Sequence, residues 1–128
     1  MIALYSNWWI KPGHEKEAIP VLQELAQTVQ AKEPGTLMYL VHFPFLEFPA
    51  EYKFRSEPAT RPGAVTFVET YASWKAFDQH FRGPTFTNFV QQHGHLFVQR
   101  EEGTTTKPFT QVVFMDKKAG FVRKQLFE

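Results

Sequence analysis

The stretch Val65 to Phe89, VTFVETYASWKAFDQHFRGPTFTNF, joins an apolar strand to two helices. Its first part, Val65 to Tyr71, is rich in β-branched and aromatic residues, which is typical of a strand. Apolar spacing predicts a helix from Trp74 to Arg82, a break at Gly83-Pro84 and a second helix beyond it. Three polar residues interrupt the apolar run: Glu69, Tyr71 and His80. This composition is typical of a wall of an apolar pocket with a few polar groups aimed into it.

The composition limits the class of protein. A chain of 128 residues corresponds to one domain, large enough for a core but small for a wholly enclosed ligand cavity. Lys and Arg total 14 against 13 Asp and Glu, without a cluster of like charge, so nucleic acid and membrane are not expected as partners. The absence of cysteine excludes disulfides and thiolate chemistry. No signal-like N-terminus or membrane-length apolar run occurs, which predicts a cytoplasmic protein.

Phenylalanine is unusually frequent, with 14 residues beside three Trp and four Tyr. This excess fits a pocket for a planar ligand. It fits equally well a core and a dimer interface built from aromatic side chains, which bury a large apolar area each.

The order of the other elements follows from periodicity. Ile2 to Ile10 is apolar on both faces, as in a strand covered on both sides. His14 to Lys32 has helical spacing, and Pro20 is expected to kink this helix or delay its regular start. Thr36 to His42 is predicted to be a second strand, and Phe109 to Met115 the last one.

Three segments connect or follow these elements. Phe43 to Gly63 holds four prolines and several aromatic residues, and is expected to form either a flap over a pocket or a dimer contact. Glu101 to Pro108 is predicted to be a polar linker. After a turn at Asp116 to Gly120, Phe121 to Phe127 is expected to pair back as a hairpin or to reach a partner subunit.

This order, β-α-β-β-α-β, predicts an α+β ferredoxin-like fold with a four-stranded antiparallel sheet and helices on one face. The strands are apolar on both faces, so a second copy of the sheet is the simplest cover for the other face. A homodimer with the two sheets paired into a dimeric α+β barrel is therefore expected. Residues 1–100 are predicted to form the main domain with its long loop at 43–63. Residues 101–128 are predicted to be a linker, a last strand and a C-terminal extension packed on the same domain or the partner.

The central stretch resembles the antibiotic biosynthesis monooxygenase domain family. The pattern E-x-(aromatic)-x-S-x-x-A-F-x-x-H-x-x-x-P-x-F-x-x-F is filled here by Glu69, Tyr71, Ser73, Ala76, Phe77, His80, Pro84, Phe86 and Phe89. Two further pieces agree in order and separation, namely a first strand ending in Ile10-Lys11-Pro12-Gly13 and the run EPGTLMY at Glu33 to Tyr39. Together they cover about residues 2 to 97, and the resemblance also implies a dimeric α+β barrel.

The resemblance implies a cofactor-independent monooxygenase of quinol-like or polycyclic phenolic aromatics, with molecular oxygen as co-substrate and no metal. A deprotonated phenol or hydroquinone is reducing enough to pass an electron to oxygen. The protein then needs only to bind the substrate, remove its proton and exclude water. The chain has no dinucleotide fingerprint, no Walker motif and no cysteine ligand, which agrees with a cofactor-free assignment.

His80 is the expected base, since a neutral imidazole suits proton transfer near pH 7. Tyr71 and Asn7 are expected to orient the substrate, and five aromatic residues are expected to bind it: Trp9, Tyr39, Phe77, Phe86 and Phe89. Structural alternatives stay open, because His80 could cap local groups and Tyr71 and Asn7 could bond to backbone. Glu69 is expected to be structural or to pair with a basic residue across the dimer.

No metal site is expected. His93 and His95 are close in sequence but have no carboxylate or cysteine companion.

Some positions depart from the family's pattern. Tyr71 stands where many relatives have Trp, and Thr85 where some quinol-oxidising relatives have a second His. Haem-degrading relatives use an Asn that Asn7 could match, but their strand Trp is replaced by Tyr71 and their ligand position aligns with Val90 rather than His93, so haem is not expected. Two other functions stay open: a non-redox isomerase, which predicts a polar pocket, and a non-catalytic ligand-binding dimer, which predicts a pocket filled by side chains.

Overall fold

A computed structural model describes residues 1–55 and 62–124. Within these residues the elements are β1 (Ile2–Trp9), α1 (Glu15–Lys32), β2 (Thr36–His42), β3 (Ala64–Tyr71), α2 (Trp74–Arg82), α3 (Pro84–His93), β4 (Gln99–Glu102), β5 (Thr105–Pro108) and β6 (Thr110–Met115), with short 3-10 turns at Ala50–Arg55 and Gly94–Leu96. The predicted β-α-β-β-α-β order is confirmed, with the β4–β5 hairpin inserted before the last strand. No helix in the described part of the chain is long and apolar enough to cross a membrane.

The main sheet is antiparallel, with the strand order β2-β3-β1-β6. β1 pairs with β3 on one side and with β6 on the other, so that Ser6 lies beside Phe67 and Val112. The helices pack on one face of this sheet, where the apolar side of α1 meets Trp8 and Val65 in the core. The predicted four-stranded α+β fold is thus confirmed.

The helix-facing side of β1 consists of its even-numbered residues. Leu4, Ser6 and Trp8 are buried, whereas their neighbours Asn7 and Trp9 are half-buried on the other face. In β3 the buried side chains are the odd-numbered ones: Val65, Phe67, Glu69 and Tyr71. Because side chains alternate along a strand, this choice of parity decides which residues can reach any site between sheet and helices.

Trp8 is the centre of the core. Four phenylalanine rings surround its indole, with centroid distances from 5.2 to 6.3 Å: Phe67, Phe86, Phe89 and Phe97. Most of these pairs are tilted or edge-to-face, the arrangement that aromatic quadrupoles favour. The aromatic excess of the sequence therefore builds the core as well as a cavity wall.

The opposite face of the sheet is also apolar. Tyr5 is in register with Val68 of β3 and Val113 of β6, and Leu40 of β2 is in register with Val68. Val113 is 42 % exposed, and the central residues of this face are only half-buried. This face points away from the helices, as the sequence predicts for a surface that meets a second layer.

The prediction that Glu101 to Pro108 is a polar linker without secondary structure is wrong. These residues belong to the β4–β5 hairpin, in which Arg100 lies opposite Lys107. Gly103 makes the turn with a φ of 64°, a left-handed conformation that glycine adopts without strain. The threonine-rich composition indicates an exposed ribbon, because β-branched side chains favour strands even where no face is buried deeply.

Other predictions concern the connections and termini. α1 runs without interruption through Pro20. Of the predicted long loop, residues 56–61 lie outside the described residues, as do residues 125–127 of the predicted C-terminal segment. Residues 121–124 are not in a strand. The domain boundary at residue 100 stays a prediction. The strand β6 lies beyond this boundary and pairs with β1.

Candidate active site

A cavity of about 770 Å³ lies between the helix-facing side of the sheet, α2, α3 and the β4–β5 hairpin. A volume of this size accommodates a ligand of two or three fused rings. The apolar lining comprises Leu4, Trp8, Phe67, Phe77, Phe81, Phe86, Val90, Pro108, Val112 and Phe114. The polar and charged lining consists of Ser6, Tyr39, Glu69, His80, Arg82, Thr87, Arg100, Lys107 and Thr110. The surface of the cavity is therefore mostly apolar, although nine of its nineteen described lining residues are polar or charged.

His80 reaches the cavity because α2 is held at both ends. At its start, the Ser73 hydroxyl caps the helix by accepting a hydrogen bond from the Ala76 amide at 3.1 Å. At the other end, a side chain at Gly83 would collide with the Gln79 carbonyl oxygen, so the helix can end there only with glycine. Between these ends the His80 side chain faces the sheet and is only 4 % exposed.

Two carboxyl groups flank the imidazole of His80. Its Nδ1 lies 2.7 Å from Oε1 of Glu33, the residue that follows α1, and its Nε2 lies 3.9 Å from Oε1 of Glu69 in β3. A carboxylate accepts hydrogen bonds, so Nδ1 donates to Glu33 and the Nε2 lone pair lies on the Glu69 side. Three rings pack on the imidazole at centroid distances of 5.2 to 5.5 Å: Tyr39, Tyr71 and Phe86.

The protonation of His80 is set by its surroundings. Burial lowers the pKa of His80 from its usual value of 6.5, and the Glu33 carboxylate opposes this change by its charge and its hydrogen bond. The imidazole is therefore neutral near pH 7 and able to accept a proton at Nε2.

Glu69 is a carboxyl group in the buried face of the sheet, 6 % exposed. Its Oε1 accepts a hydrogen bond from the Tyr71 hydroxyl, and the Ser6 side chain also hydrogen-bonds to it. Burial raises the pKa of Glu69 to about 7, although these two hydrogen bonds act in the opposite direction. Near neutral pH the Glu69 carboxyl can therefore either accept or donate a proton.

The two neighbouring tyrosines stay protonated. Burial is the main cause that raises the pKa of Tyr39 and of Tyr71, and the charge of Glu69 adds to it in both cases. Both phenols are consequently hydrogen-bond donors rather than bases.

The structure brings four of the residues predicted for the site to the cavity: His80, Tyr39, Phe77 and Phe86. Tyr71 is fully buried behind them and connects to the cavity through its hydrogen bond to Glu69. Phe89 lies in the core against Trp8 and Phe97 and supports the cavity wall from behind.

Asn7 and Trp9 are not brought to this cavity, contrary to expectation. Asn7 Oδ1 accepts a hydrogen bond from the Thr66 hydroxyl at 2.8 Å, and Trp9 packs on Phe109 with a centroid distance of 5.5 Å, both on the other face of the sheet. The reason is strand parity: Trp8, one residue earlier than Trp9, occupies the cavity wall instead.

Two further predictions concern segments near the site. Of the predicted flap, residues 43–52 and 62–63 can be compared with the cavity, and none of them lines it. His93 packs on Phe89 and His95 is exposed, and within the described parts of the chain no group of three or more His, Cys, Asp or Glu is arranged to hold a metal ion.

Sequence reasoning missed two polar participants, Ser6 and Glu33, and expected a third, Glu69, to be structural or to pair across the dimer. Glu69 had a usable signal, because it shares strand parity with Val65 and Phe67 and so lies among buried residues. Ser6 shares the parity of Leu4 and Trp8 in the same way. Glu33 had no such signal, since it lies in a Pro-Gly turn 47 residues before His80.

The structure is that of a ferredoxin-like α+β protein with a cavity between sheet and helices. The chain belongs to the antibiotic biosynthesis monooxygenase family, whose model matches residues 1–92. No curated protein matches the chain.

Solved structures agree in fold. A Deinococcus radiodurans protein is 16 % identical, with 96 % of this chain and 98 % of that chain covered and a TM-score of 0.66. A Caulobacter crescentus protein is 22 % identical, with 92 % and 90 % covered and a TM-score of 0.67. Both are provisionally named antibiotic biosynthesis monooxygenases. Rv0793 from Mycobacterium tuberculosis is 17 % identical, with 93 % and 96 % covered and a TM-score of 0.63.

Proposed function

We propose that this protein is a cofactor-independent monooxygenase that oxidises a quinol-like or polycyclic phenolic aromatic with molecular oxygen. The observation that carries the proposal is a buried acid–base pair, His80 and Glu69, at the inner end of an aromatic cavity. Membership of the family supports the reaction class. The apolar lining supports an aromatic substrate.

The lining suggests one orientation for the substrate. Its ring system lies among Phe77, Phe86 and Tyr39, with a phenolic hydroxyl directed at Nε2 of His80. Three basic residues, Arg82, Arg100 and Lys107, line the more exposed part of the same cavity and favour any anionic substituent there. The polar end of such a substrate is therefore desolvated, while the far end remains near water.

The proposed chemistry begins with transfer of the phenolic proton to Nε2 of His80. The phenolate passes one electron to oxygen, and the resulting radicals combine to form a carbon–oxygen bond. A hydroperoxide at a carbon that still bears hydrogen then loses water and leaves a carbonyl group. In total the substrate loses two hydrogen atoms and gains one oxygen atom, and the second oxygen atom leaves as water, so no external reductant is consumed.

The protein's contribution is positional and electrostatic. His80 and Glu69 hold and return the proton, and the aromatic walls keep water from the oxygenated intermediate. The Tyr39 phenol is available as a donor near the developing negative charge, because its pKa is raised and it stays protonated.

A homodimer is part of the proposal. The face of the sheet around Tyr5, Val68 and Val113 is apolar and only partly covered within the described chain. Pairing with the same face of a second copy would bury it.

The two alternatives receive less support. A polar pocket expected of a sugar-type isomerase does not match the mostly apolar lining, and a pocket filled by side chains, expected of a non-catalytic dimer, does not match a volume of about 770 Å³.

The test is oxygen uptake by chelator-treated protein with a panel of hydroquinones, dihydroxynaphthalenes and anthrones. Uptake above the protein-free rate is expected, with one atom from labelled oxygen in the product. It is expected to collapse in His80→Ala and to persist in His95→Ala, a change at an exposed histidine that does not line the cavity. Absence of uptake across the panel would overturn the monooxygenase proposal, and uptake unchanged in His80→Ala would overturn the assigned base.

A further inference from the structure

A second depression, of about 390 Å³, lies on another side of α2. It is formed by the end of α1, the turn that follows it and the junction between α2 and α3: Lys32, Glu33, Pro34, Gly35, Thr36, Ala76, Gln79, Gly83, Pro84 and Thr85. Within residues 1–55 and 62–124, no residue lines both this depression and the aromatic cavity.

One carboxyl group connects the second depression to the aromatic cavity through His80. Glu33 lines the second depression with its side chain 13 % exposed, and its Oε1 lies 2.7 Å from Nδ1 of His80, which lines the aromatic cavity. The His80–Glu33 contact thus connects a buried base to a depression that is separate from the aromatic cavity.

The turn that carries Glu33 is held firmly against α2. The Glu33 amide donates to the Val29 carbonyl at 2.9 Å, and the Thr36 hydroxyl donates to Glu33 Oε1 at 3.3 Å. A side chain at Gly35 would place its Cβ 2.7 Å from Cβ of Ala76, so only glycine lets the turn approach the helix this closely. The Glu33 carboxyl is therefore preorganised against the imidazole.

The surroundings of His80 make Glu33 its dominant partner. Among the residues that the structure describes, the titratable groups that face the imidazole are two carboxyls and two phenols: Glu33, Glu69, Tyr39 and Tyr71. Only Glu33 is within hydrogen-bonding distance of a ring nitrogen. On the same helix, Arg82 is exposed and forms an ion pair with Asp78 at 2.6 Å.

We propose that Glu33 is the positioning residue of this site, which fixes the His80 proton on Nδ1 and connects that proton to water in the second depression. The proposal rests on the proposed function where it concerns turnover, but its structural part does not. Fixing the proton on Nδ1 keeps the Nε2 lone pair available to a phenol. The path from His80 through Glu33 to the second depression lets the base exchange protons with water while a ligand fills the aromatic cavity.

The first test does not require activity. The protonation of both ring nitrogens of His80 is measured by ¹⁵N NMR in the wild type, Glu33→Gln, Glu33→Ala and Glu24→Gln. Glu24 is an exposed acid on α1 and serves as the matched control. The wild type and Glu24→Gln are expected to carry the proton on Nδ1. In both Glu33 variants it is expected to move toward Nε2, where Glu69 is then the nearest carboxyl.

The second part of that test uses 2-naphthol, a planar phenol, as a probe that fills the cavity. In the wild type, saturating 2-naphthol is expected to change the exchange rate of the His80 ring proton with water very little. In Glu33→Gln, the same concentration of 2-naphthol is expected to slow this exchange at least about tenfold. A wild-type proton on Nε2, or a tautomer unchanged in Glu33→Ala, would overturn the positioning role. Equal effects of the probe on exchange in wild type and Glu33→Gln would overturn the connection to water.

The kinetic test separates this proposal from the proposed function. With a substrate that supports oxygen uptake, Glu33→Gln is expected to lower kcat by about 100-fold, within the range of positioned acid–base catalysis, with little change in KM. Formate, which fits the space left in Glu33→Ala, is expected to restore part of the rate. A purely structural tie between α1 and α2 would lower the unfolding temperature without formate rescue, and that result would overturn the role in turnover. Absence of oxygen uptake by the wild type would contradict the proposed function but not the role of Glu33, because the NMR measurement tests that role separately.

Discussion

Nε2 of His80 and Oε1 of Glu69 lie 3.9 Å apart, and both side chains are buried. Burial acts on the two groups in opposite directions, because it disfavours the charged form of each. It raises the pKa of Glu69 to about 7 and lowers the pKa of His80 from 6.5. Glu69 therefore titrates near neutral pH beside a His80 imidazole that is neutral there, and at this distance the two groups form one coupled pair.

The coupled pair predicts the pH dependence of oxygen uptake. The base must be unprotonated, so kcat/KM is expected to rise from acid to neutral pH in the wild type, with two macroscopic pKa values that belong to the pair. In Glu69→Gln only His80 remains to titrate, and burial keeps its pKa below 6.5. We expect a single transition below pH 6.5 in this variant, measured between pH 5 and 9. A pH profile of Glu69→Gln identical to that of the wild type would show that Glu69 takes no part in the pH dependence of oxygen uptake.

Glu69 also predicts how stability depends on pH. Its pKa is raised from 4.5 to about 7 on folding, so between these pH values the folded protein holds a proton that the unfolded chain has released. The contribution of Glu69 to the free energy of unfolding is therefore fully present below pH 4.5, and it is lost as the pH rises through 7. A shift of this size corresponds to about 3 kcal/mol.

The measurement is urea unfolding of the wild type and Glu69→Gln at pH 4.5, 6 and 8. The pKa of His80 is lowered on folding, so its contribution has the opposite sign and increases stability as the pH rises toward 6.5. That contribution is present in both proteins. The free energy of unfolding of the wild type relative to the variant is expected to fall by about 3 kcal/mol from pH 4.5 to pH 8. A constant difference would contradict the buried, raised carboxyl.

The two adjacent tryptophans are predicted to respond differently to substitution. Trp8→Phe is expected to lower the free energy of unfolding by about 1–3 kcal/mol, since Trp8 is surrounded by core aromatic rings. It also lines the cavity, so 2-naphthol binding is expected to change. Trp9→Ala is expected to leave that binding intact and to weaken self-association, because Trp9 lies on the other face of the sheet.

Urea unfolding, fluorescence titration with 2-naphthol and sedimentation check these three outcomes. Phe109→Ala is a useful companion variant, because Phe109 packs on Trp9 and should weaken association in the same way. Loss of 2-naphthol binding in Trp9→Ala with unchanged association would contradict both the parity of β1 and the proposed dimer.

Local chemistry in the sequence determined the elements and their order. Ser73 and Gly83-Pro84 delimit α2 at the predicted residues Trp74–Arg82, because capping and chain-breaking act over a few neighbouring residues. The motif residues of the central stretch led to the family that the comparison with its model confirmed. Four of the eight residues predicted for the site line the cavity: His80, Tyr39, Phe77 and Phe86.

Only the tertiary structure decided which face of each strand carries the site. A strand that is apolar on both faces has the same pattern in either orientation, so Trp8 and Trp9 are equivalent until helices pack on one side. The same holds for Glu33, which meets His80 only because the turn after α1 folds against α2. Contacts between residues far apart in the chain depend on packing, and periodicity along the chain carries no record of them.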